Sequence, residues 1–562
     1  MRPLDWLVLA CSLVFVVVYG VWKGRRNRDL DDYILADRRM RWHTIALSIM
    51  ATQASAITFL STPGQAYTDG MRFVQFYLGL PIAMVILSVT AVPVYHRLKV
   101  YTAYEYLEGR FDLKTRTFAS LLFLIQRGLG AGFTIYAPSV IFSVIMGWNI
   151  NSMILIIGGL VITYTATGGT KAVNWTNFYQ FLIITVGMLA AFFTILWLLP
   201  ADVSFIEATY VAGKMGKLNA IDFSFDVTNQ YNFWSGLVGG CFLALSYFGT
   251  DQSQVGRYLT GESIAQSRLG LLFNGLVKVP MQFFILFLGA MVFVFYQFIT
   301  PPVFFNPVQV GKISTGPFAE SFRSIEREHE QATSAKQDQA RKLIEAIRSA
   351  DEQAVAAAEQ GLRQAQEKTA AVRSEAITLM RAQDPQANAN DTNYIFLNFV
   401  IHYMPAGLVG LVIAAIFAAS MSSSASELNA LASTTVVDIY RRLIKKEASE
   451  RHYVIFSKLA TIFWGGFAIL FAEYAGNLGS LVEAVNRLGS LFYGTILGIF
   501  LLAFYFKRVG GTATFCAAIV GELAVLYSFF FTSISFLWYN VVGCVVVICA
   551  ALLINALTRH RR

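Results

Sequence analysis

Apolar residues run along this chain in blocks of about 20, parted by short polar or basic stretches. At ~1.5 Å of rise per residue, such a block is a helix long enough to cross a bilayer. The blocks predict about thirteen spans, near 5–23, 43–67, 73–95, 116–146, 151–167, 176–199, 232–249, 269–299, 407–440, 453–471, 480–505, 512–531 and 537–557. One stretch breaks the pattern. Ser321–Arg381 is rich in Ala, Glu, Gln, Lys and Arg, holds no Pro and a single Gly, and reads as a charged helix or helical hairpin outside the membrane. Pro301, Pro302, Pro307 and Pro317 fence it on one side and Pro385 on the other. Its charged faces are either solvated or dock a protein partner. The expected organisation is an extra N-terminal span and basic loop (1–42), a first repeat with the start of a second (43–300), the insertion (301–395), the rest of the second repeat (396–506) and two C-terminal spans (507–562).

Polar residues inside the spans mark the interesting places. The span 43–67 is interrupted by Gln53, Ser55, Thr58 and Ser61, and Pro63–Gly64 is expected to break its outer end. That pattern suits a discontinuous helix whose unwound carbonyls face a site, and the small side chains of Ala51 and Ala54 leave theirs open. Gly236, Gly239 and Gly240 loosen the span 232–249, which Ser246, Tyr247 and Gly249 end. Two interrupted spans five spans apart suggest the halves of an inverted repeat. The span 407–440 contains AIFAASMSSSASELN and puts Ser422 and Ser423 near the bilayer midplane. Their hydroxyls serve either close helix packing or a cation site of neutral oxygens. Two cations also fall within spans. Lys278 is a functional candidate unless it snorkels to the surface; Arg127 either binds an anionic solute or pairs with carbonyls. Glu427 and Glu483 are expected near helix ends or water-filled gaps, and neither receives a role.

Composition narrows the class. The chain is 562 residues, 56% hydrophobic and 14% charged, which excludes an ordinary soluble domain and calls for a lipid bilayer. The net charge of +9 does not indicate nucleic acid. The basic residues sit in short loops, such as Arg38–Arg41, Arg97–Arg116, Arg257–Arg268 and Arg441–Arg451, that share one face if the N-terminus lies outside and the C-terminus inside. The first apolar run lacks a basic leader and cleavage site and reads as a retained span. The five cysteines lie in apolar runs without ligand spacing and read as buried thiols. Enzyme motifs are missing too: GGTK at Gly168–Lys171 has the wrong spacing for a phosphate loop, and no HExxH or GxSxG occurs. Uphill transport by such a chain would draw on an ion gradient.

Three segments resemble the sodium:solute symporter family: GGTKAVNWTNFYQ (168–180), SYFGTDQSQVGRYLTG (246–261) and AASMSSSASELNALASTTVVDIY (418–440). The second, with FTIYAPSVI (133–141), is similar to the family's iodide, monocarboxylate and multivitamin branch, and the bacterial sialic acid transporters are further members. The resemblance implies an all-α membrane protein with the LeuT-type five-plus-five inverted repeat, flanked by extra helices. It implies a sodium site with carbonyls from Ala51, Ala54 and Ala419 and hydroxyls from Ser422 and Ser423. A hard cation wants such oxygen ligands. The second sodium site of some members meets Asn177 and Ala425 here, so one sodium per cycle is expected. The galactose transporter's sugar-binding acid and one of its asparagines match Tyr77 and Ala244, so its hexose site is not kept. Tyr247 resembles its inner-gate tyrosine, Lys278 its site lysine, and Arg127 falls close to the carboxylate-binding arginine of sialic acid transporters. With Gln53, Thr58 and Phe76, these make the candidate solute site.

The expectation is therefore sodium-coupled symport of a small organic solute, tilted toward an organic anion, by alternating access across a cell membrane, with a bacterial inner membrane the favoured location. The competing classes are a symporter of sugars or other neutral solutes, and a transporter-like sensor for which the hairpin is the candidate attachment. Flux rate and sodium coupling would separate a channel from both.

Overall fold

A computed structural model describes residues 1–24, 35, 38–385, 387–475 and 480–559. Arg25, Arg26, Arg28, Arg561 and Arg562 lie outside them, and within 168–180 only the side chains of Asn177, Tyr179 and Gln180 are described. Among the described residues the regular elements are helical, save one parallel bridge between Met40 and Gly261. The expected spans fall on helical stretches, some of them split and two of them sharing one run. Among the described residues, nine helical runs are long and apolar enough to cross a membrane, and Pro3–Phe15, Ile150–Thr163 and Ser235–Gly249 are shorter apolar helices.

The first interrupted span is two helices, α2 (Trp42–Gln53) and α3 (Ala56–Asp69), after α1 (Pro3–Gly24). The break falls at Ala54–Ser55, where ψ swings to 63° and 168°. It does not fall at Pro63–Gly64, where a break was expected. Pro63 lies inside α3, whose helix runs on to Asp69. Gly64 serves packing instead: a Cβ there would stand 2.0 Å from the Thr392 carbonyl oxygen. The next span is segmented into a 3-10 stretch (Gly70–Tyr77), α4 (Leu80–Val89) and α5 (Ala91–Leu98), with α6 (Ala103–Arg110) linking to α7 (Leu113–Met146).

The run α8 (Ile150–Leu198) covers two expected spans. Its contacts reverse along its length. Gly158 packs on Ile469 and Ile162 on Gly465, whereas Asn177 meets Ser422 and Gly187 meets Ala415 and Val412. Those partners lie on α17 (Leu408–Thr434) and α18 (Glu450–Ala475), which follow one another as a hairpin. The direction of α8 therefore reverses between Ile162 and Asn177, and the run serves as two crossings.

The short helix α9 (Phe205–Lys214) precedes the second interrupted span. That span begins as a π turn (Ser235–Gly239), continues as α10 (Gly240–Gly249), breaks at Thr250–Asp251, and resumes as α11 (Gln252–Tyr258) before α12 (Ile264–Phe298). The insertion follows: α13 (Pro307–Ser314), then α14 (Ala319–Ser349) and α15 (Glu352–Gln383) paired as a hairpin. The hairpin lies against the membrane part. Lys336 Nζ donates to the Tyr296 carbonyl at 3.2 Å, His329 Nε2 lies 3.2 Å from the Pro301 carbonyl, Arg348 pairs with Glu207 at 2.6 Å, and Arg373 pairs with Asp391. The helix α16 (Thr392–Tyr403) was not expected; it is too short to read as a span, and it packs along α3. The chain ends with α19 (Leu481–Tyr505), α20 (Gly511–Phe531) and α21 (Phe536–Arg559).

The hydrophobic centre is α17, whose residues from Ile413 to Thr434 are all buried. A helix buried on every side is surrounded by protein, so its serines face other helices rather than lipid. The cysteines are free; Cys544 is buried as expected, but Cys11 and Cys549 are exposed on outer helix surfaces.

Candidate functional site

At the first break, no backbone N–H reaches the carbonyls of Ala51 and Ala54 among the described residues. Small side chains and an interrupted helix leave these two oxygens available, which an intact helix would not. Facing them on α17, Ser423 Oγ donates to the Thr52 carbonyl at 2.9 Å, and Thr52 Oγ1 lies 3.1 Å from Ser426 Oγ. Ser422 Oγ donates to Asn177 Oδ1 at 2.6 Å, whose Nδ2 donates to Ser48 Oγ at 3.2 Å. Ala419 lies one turn back on α17, and all five expected ion-site residues are buried. The arrangement is an oxygen-rich, charge-free cluster joining α2, α8 and α17. Carbonyl and hydroxyl oxygens are the donor set a hard monovalent cation takes. Asn177 already engages Ser422, and Ala425 is buried without a hydroxyl.

One cavity adjoins this cluster, and Thr52 belongs to both. Gln53, Thr58, Phe76, Arg127, Tyr247 and Lys278 all line it, so the structure brings the six candidate solute residues together. Tyr77 and Ala244 line it as well. Gln53 Nε2 donates to Asn274 Oδ1 at 2.7 Å, which fixes its amide at the wall. Tyr247 Oη accepts from Gln254 Nε2 at 2.7 Å, just past the second break.

The two cations differ in their surroundings. Arg127 is paired with carboxylates, not with carbonyls. Its Nη1 donates to Glu427 at 3.0 Å, and its Nη2 to Asp251 and, at 2.7 Å, to Tyr493 Oη. Lys278 does not snorkel: it is 1% exposed, and its Nζ stands 5.6 Å from the centre of the Tyr77 ring. Among the described residues it has no acidic partner. Keeping a buried amine charged without one is costly, so an incoming negative group would be favoured at this position.

Sequence reasoning missed Asp251, Glu427 and Tyr493. Glu427 lies four residues past Ser423, on the same helical face, and that spacing was the available signal. It sits in the cavity wall, not at a helix end. Asp251 was legible only as part of a segment; the sequence ended the span at Gly249, beside the break, but did not show the partner that gives Asp251 its role. Glu483 lies in the first turn of α19, near a helix end as expected, where it accepts from Gln65, Gln230 and Tyr231 at 3.2, 2.8 and 3.2 Å.

The model of the Sodium:solute symporter family matches residues 33–317 and 373–521, leaving out most of the insertion hairpin. The sodium/sialic acid symporter SiaT of Proteus mirabilis is 26% identical over 97% of this chain and 94% of that protein. The sodium-dependent multivitamin transporter of Oryctolagus cuniculus is 26% identical over 94% of this chain and 70% of that one. A solved substrate-bound, outward-open structure of a sodium-coupled sialic acid symporter superposes with a TM-score of 0.76, at 24% identity, covering 99% of this chain and 98% of that chain. This likeness shows the fold, the five-plus-five repeat of the LeuT class.

Proposed function

This chain belongs to the sodium:solute symporter family, a family of transporters and not of enzymes, and from that premise we propose that it carries a small organic anion together with sodium. The observation that carries the reading is Lys278, a buried side-chain amine in the central cavity with a tyrosine face as its near neighbour. A carboxylate placed there gains a charge-assisted hydrogen bond that a neutral solute cannot offer. Gln53, Thr58 and Asn486 supply polar contacts around it, and Phe76 and Tyr77 supply apolar walls. Sialic acid, which the SiaT relative carries by name, is itself a carboxylic acid.

Sodium binds at the first break, between the carbonyls of Ala51, Ala54 and Ala419 and the hydroxyls of Ser422 and Ser423. Its role follows from the shared wall: ordering Thr52 and Gln53 shapes both the ion cluster and the cavity. Coupling then requires only that sodium favour one of the two access states over the other. One sodium per cycle is supported by Asn177 and Ala425, which offer no carboxylate and no second hydroxyl.

The orientation is read from charge. Arg38, Lys99, Arg110 and Arg441 share the face opposite the insertion, which makes that face cytoplasmic. The N-terminus then lies outside, where Asp5 Oδ1 accepts from Gly407 N at 2.6 Å at the start of α17, and the hairpin lies outside with it. The favoured site is a bacterial inner membrane.

The test is uptake into proteoliposomes under an imposed sodium gradient, with a panel of carboxylic acids and matched neutral amides. Sodium-driven accumulation of an acid but not its amide, lost in Lys278→Met, supports the proposal. Equal uptake of both, or uptake untouched by the substitution, refutes the anion assignment.

A further inference from the structure

The paired state of Arg127 joins two places that a transport cycle must keep in step. Ser423 ties α17 to the first break through the Thr52 carbonyl. Four residues on, Glu427 projects from the same face of α17 and takes Arg127 Nη1 at 3.0 Å, while its other oxygen accepts from Thr134 Oγ1 at 3.0 Å. Arg127, held on α7, reaches with Nη2 to Asp251 at the second break. The two oxygens of Asp251 do different work. Oδ1 caps α11, accepting from Ser253 N at 2.9 Å and Ser253 Oγ at 2.7 Å. Oδ2 takes Arg127 and the hydroxyl of Tyr493, the latter at 2.9 Å. Gln126 Nε2 donates to the same Tyr493 Oη at 3.2 Å.

We propose that Glu427, Arg127 and Asp251 form a charged relay through which sodium at the first helix break sets the geometry of the second. It rests on the sodium site proposed above and adds to it the route by which the ion acts on the other repeat. These three are positioning residues. Arg127 serves this role rather than direct solute binding, because both its Nη atoms are held by protein and only Nε lacks a partner.

The physical argument is the cost of parting charges in a buried place. All three side chains are buried: Arg127 is 4% exposed, Glu427 6% and Asp251 1%. If α17 shifts relative to α10 and α11, either an ion pair breaks in a low-dielectric setting or the second break moves with it, and the second path is favoured. Sodium that fixes α17 against α2 therefore also fixes the start of α11. The route starts at the first helix interruption, passes through Ser423 and Glu427 on the unbroken α17, and ends at the second interruption; at both interruptions the backbone changes conformation with few hydrogen bonds to lose. Coupling of this kind is reciprocal, so a solute that orders the second break tightens sodium binding in turn.

The test uses sodium alone. Hydrogen–deuterium exchange is followed on the full-length, detergent-purified chain in sodium and in choline, for native protein and for Glu427→Gln. In native protein, sodium slows exchange at both breaks, around 50–58 and around 246–258. In Glu427→Gln the protection at 50–58 is kept and that at 246–258 is lost. Protection of both regions in Glu427→Gln overturns the relay, and so does native protein in which sodium protects only the first break. Native protein that sodium protects nowhere overturns the sodium site itself and the relay with it. Should Glu427→Gln not fold, a neutral triple variant, Arg127→Met with Asp251→Asn and Glu427→Gln, leaves no unpaired charge and is read in the same way.

Discussion

Lys278 Nζ stands 5.6 Å from the centre of the Tyr77 ring, inside a cavity where the other cation, Arg127, is already paired with acids. This contrast is the ground on which Lys278 is proposed to meet the solute's charge. Lys278→Met should abolish sodium-driven uptake of the acid while raising the thermal stability of the solute-free protein. Removing an unpaired buried charge relieves a desolvation cost of roughly 1–3 kcal/mol. Uptake and a melting curve on one preparation check both halves.

Arg127→Ala should behave in the opposite way. It leaves Asp251 and Glu427 buried without a counter-charge, a change that costs ~3–5 kcal/mol when a buried pair loses one partner. The melting temperature should fall steeply even without solute. An arginine that served only to bind solute would leave the solute-free stability unchanged, so the same melting curve separates the two roles.

Much of this was legible in the sequence, and the exceptions have physical causes. The spans, the two interruptions and the serines of α17 follow from composition and periodicity, because lipid imposes length and apolarity on every crossing. The exact breaks do not. Pro63 looked like a helix breaker, yet α3 passes through it, since neighbouring protein can satisfy the backbone group that proline frees. Ala54–Ser55, with no Pro or Gly, is where the helix stops. The six residues that line the cavity were singled out because each is polar or aromatic within a span. Glu427 and Asp251 were not, because their meaning lies in a partner some 300 and 124 positions away in the chain. The short helix α16 was missed because 12 residues cannot cross a membrane and so gave no span signal.

Gly64 carries a separate prediction. A methyl group there would meet the Thr392 carbonyl oxygen at 2.0 Å, so α3 and α16 would have to part. Gly64→Ala should cost ~1–3 kcal/mol through overpacking. It should also slow transport, because α3 is the second half of the broken helix. A melting temperature equal to that of native protein would contradict the close approach.

The insertion hairpin should undock in mild acid. Burial pushes the His329 imidazole down to about 4 from its ordinary value near 6.5, with Lys336 and Arg373 adding positive charge nearby. The docked state thus prefers neutral histidine, and its advantage is full above pH ~6.5 and falls by up to ~1.4 kcal/mol per pH unit as pH drops toward 4. The Glu207–Arg348 pair does not explain loss in this window, since Arg348 holds Glu207 at about 2 and the pair persists until pH falls through that value. Lys336, pushed down to about 8 by burial, makes docking stronger as pH rises from 8 through its ordinary value of 10.5. Limited proteolysis of the hairpin at pH 7.5 and pH 5 checks the sign. Cleavage should rise at pH 5 in native protein and rise less in His329→Phe.

The central claim is that sodium binds where α17 meets the first helix break. The measurement that tests it most directly is the thermal stability of detergent-purified protein in sodium, potassium and choline, with Ser423→Ala beside it. A ligand held only by the folded state adds about 2.7 kcal/mol at a hundred times its dissociation constant. The account predicts a rise in melting temperature with sodium concentration that potassium and choline do not give and that Ser423→Ala loses. Equal stability in all three cations, or a sodium response unchanged in Ser423→Ala, would contradict it and return Ser422 and Ser423 to helix packing.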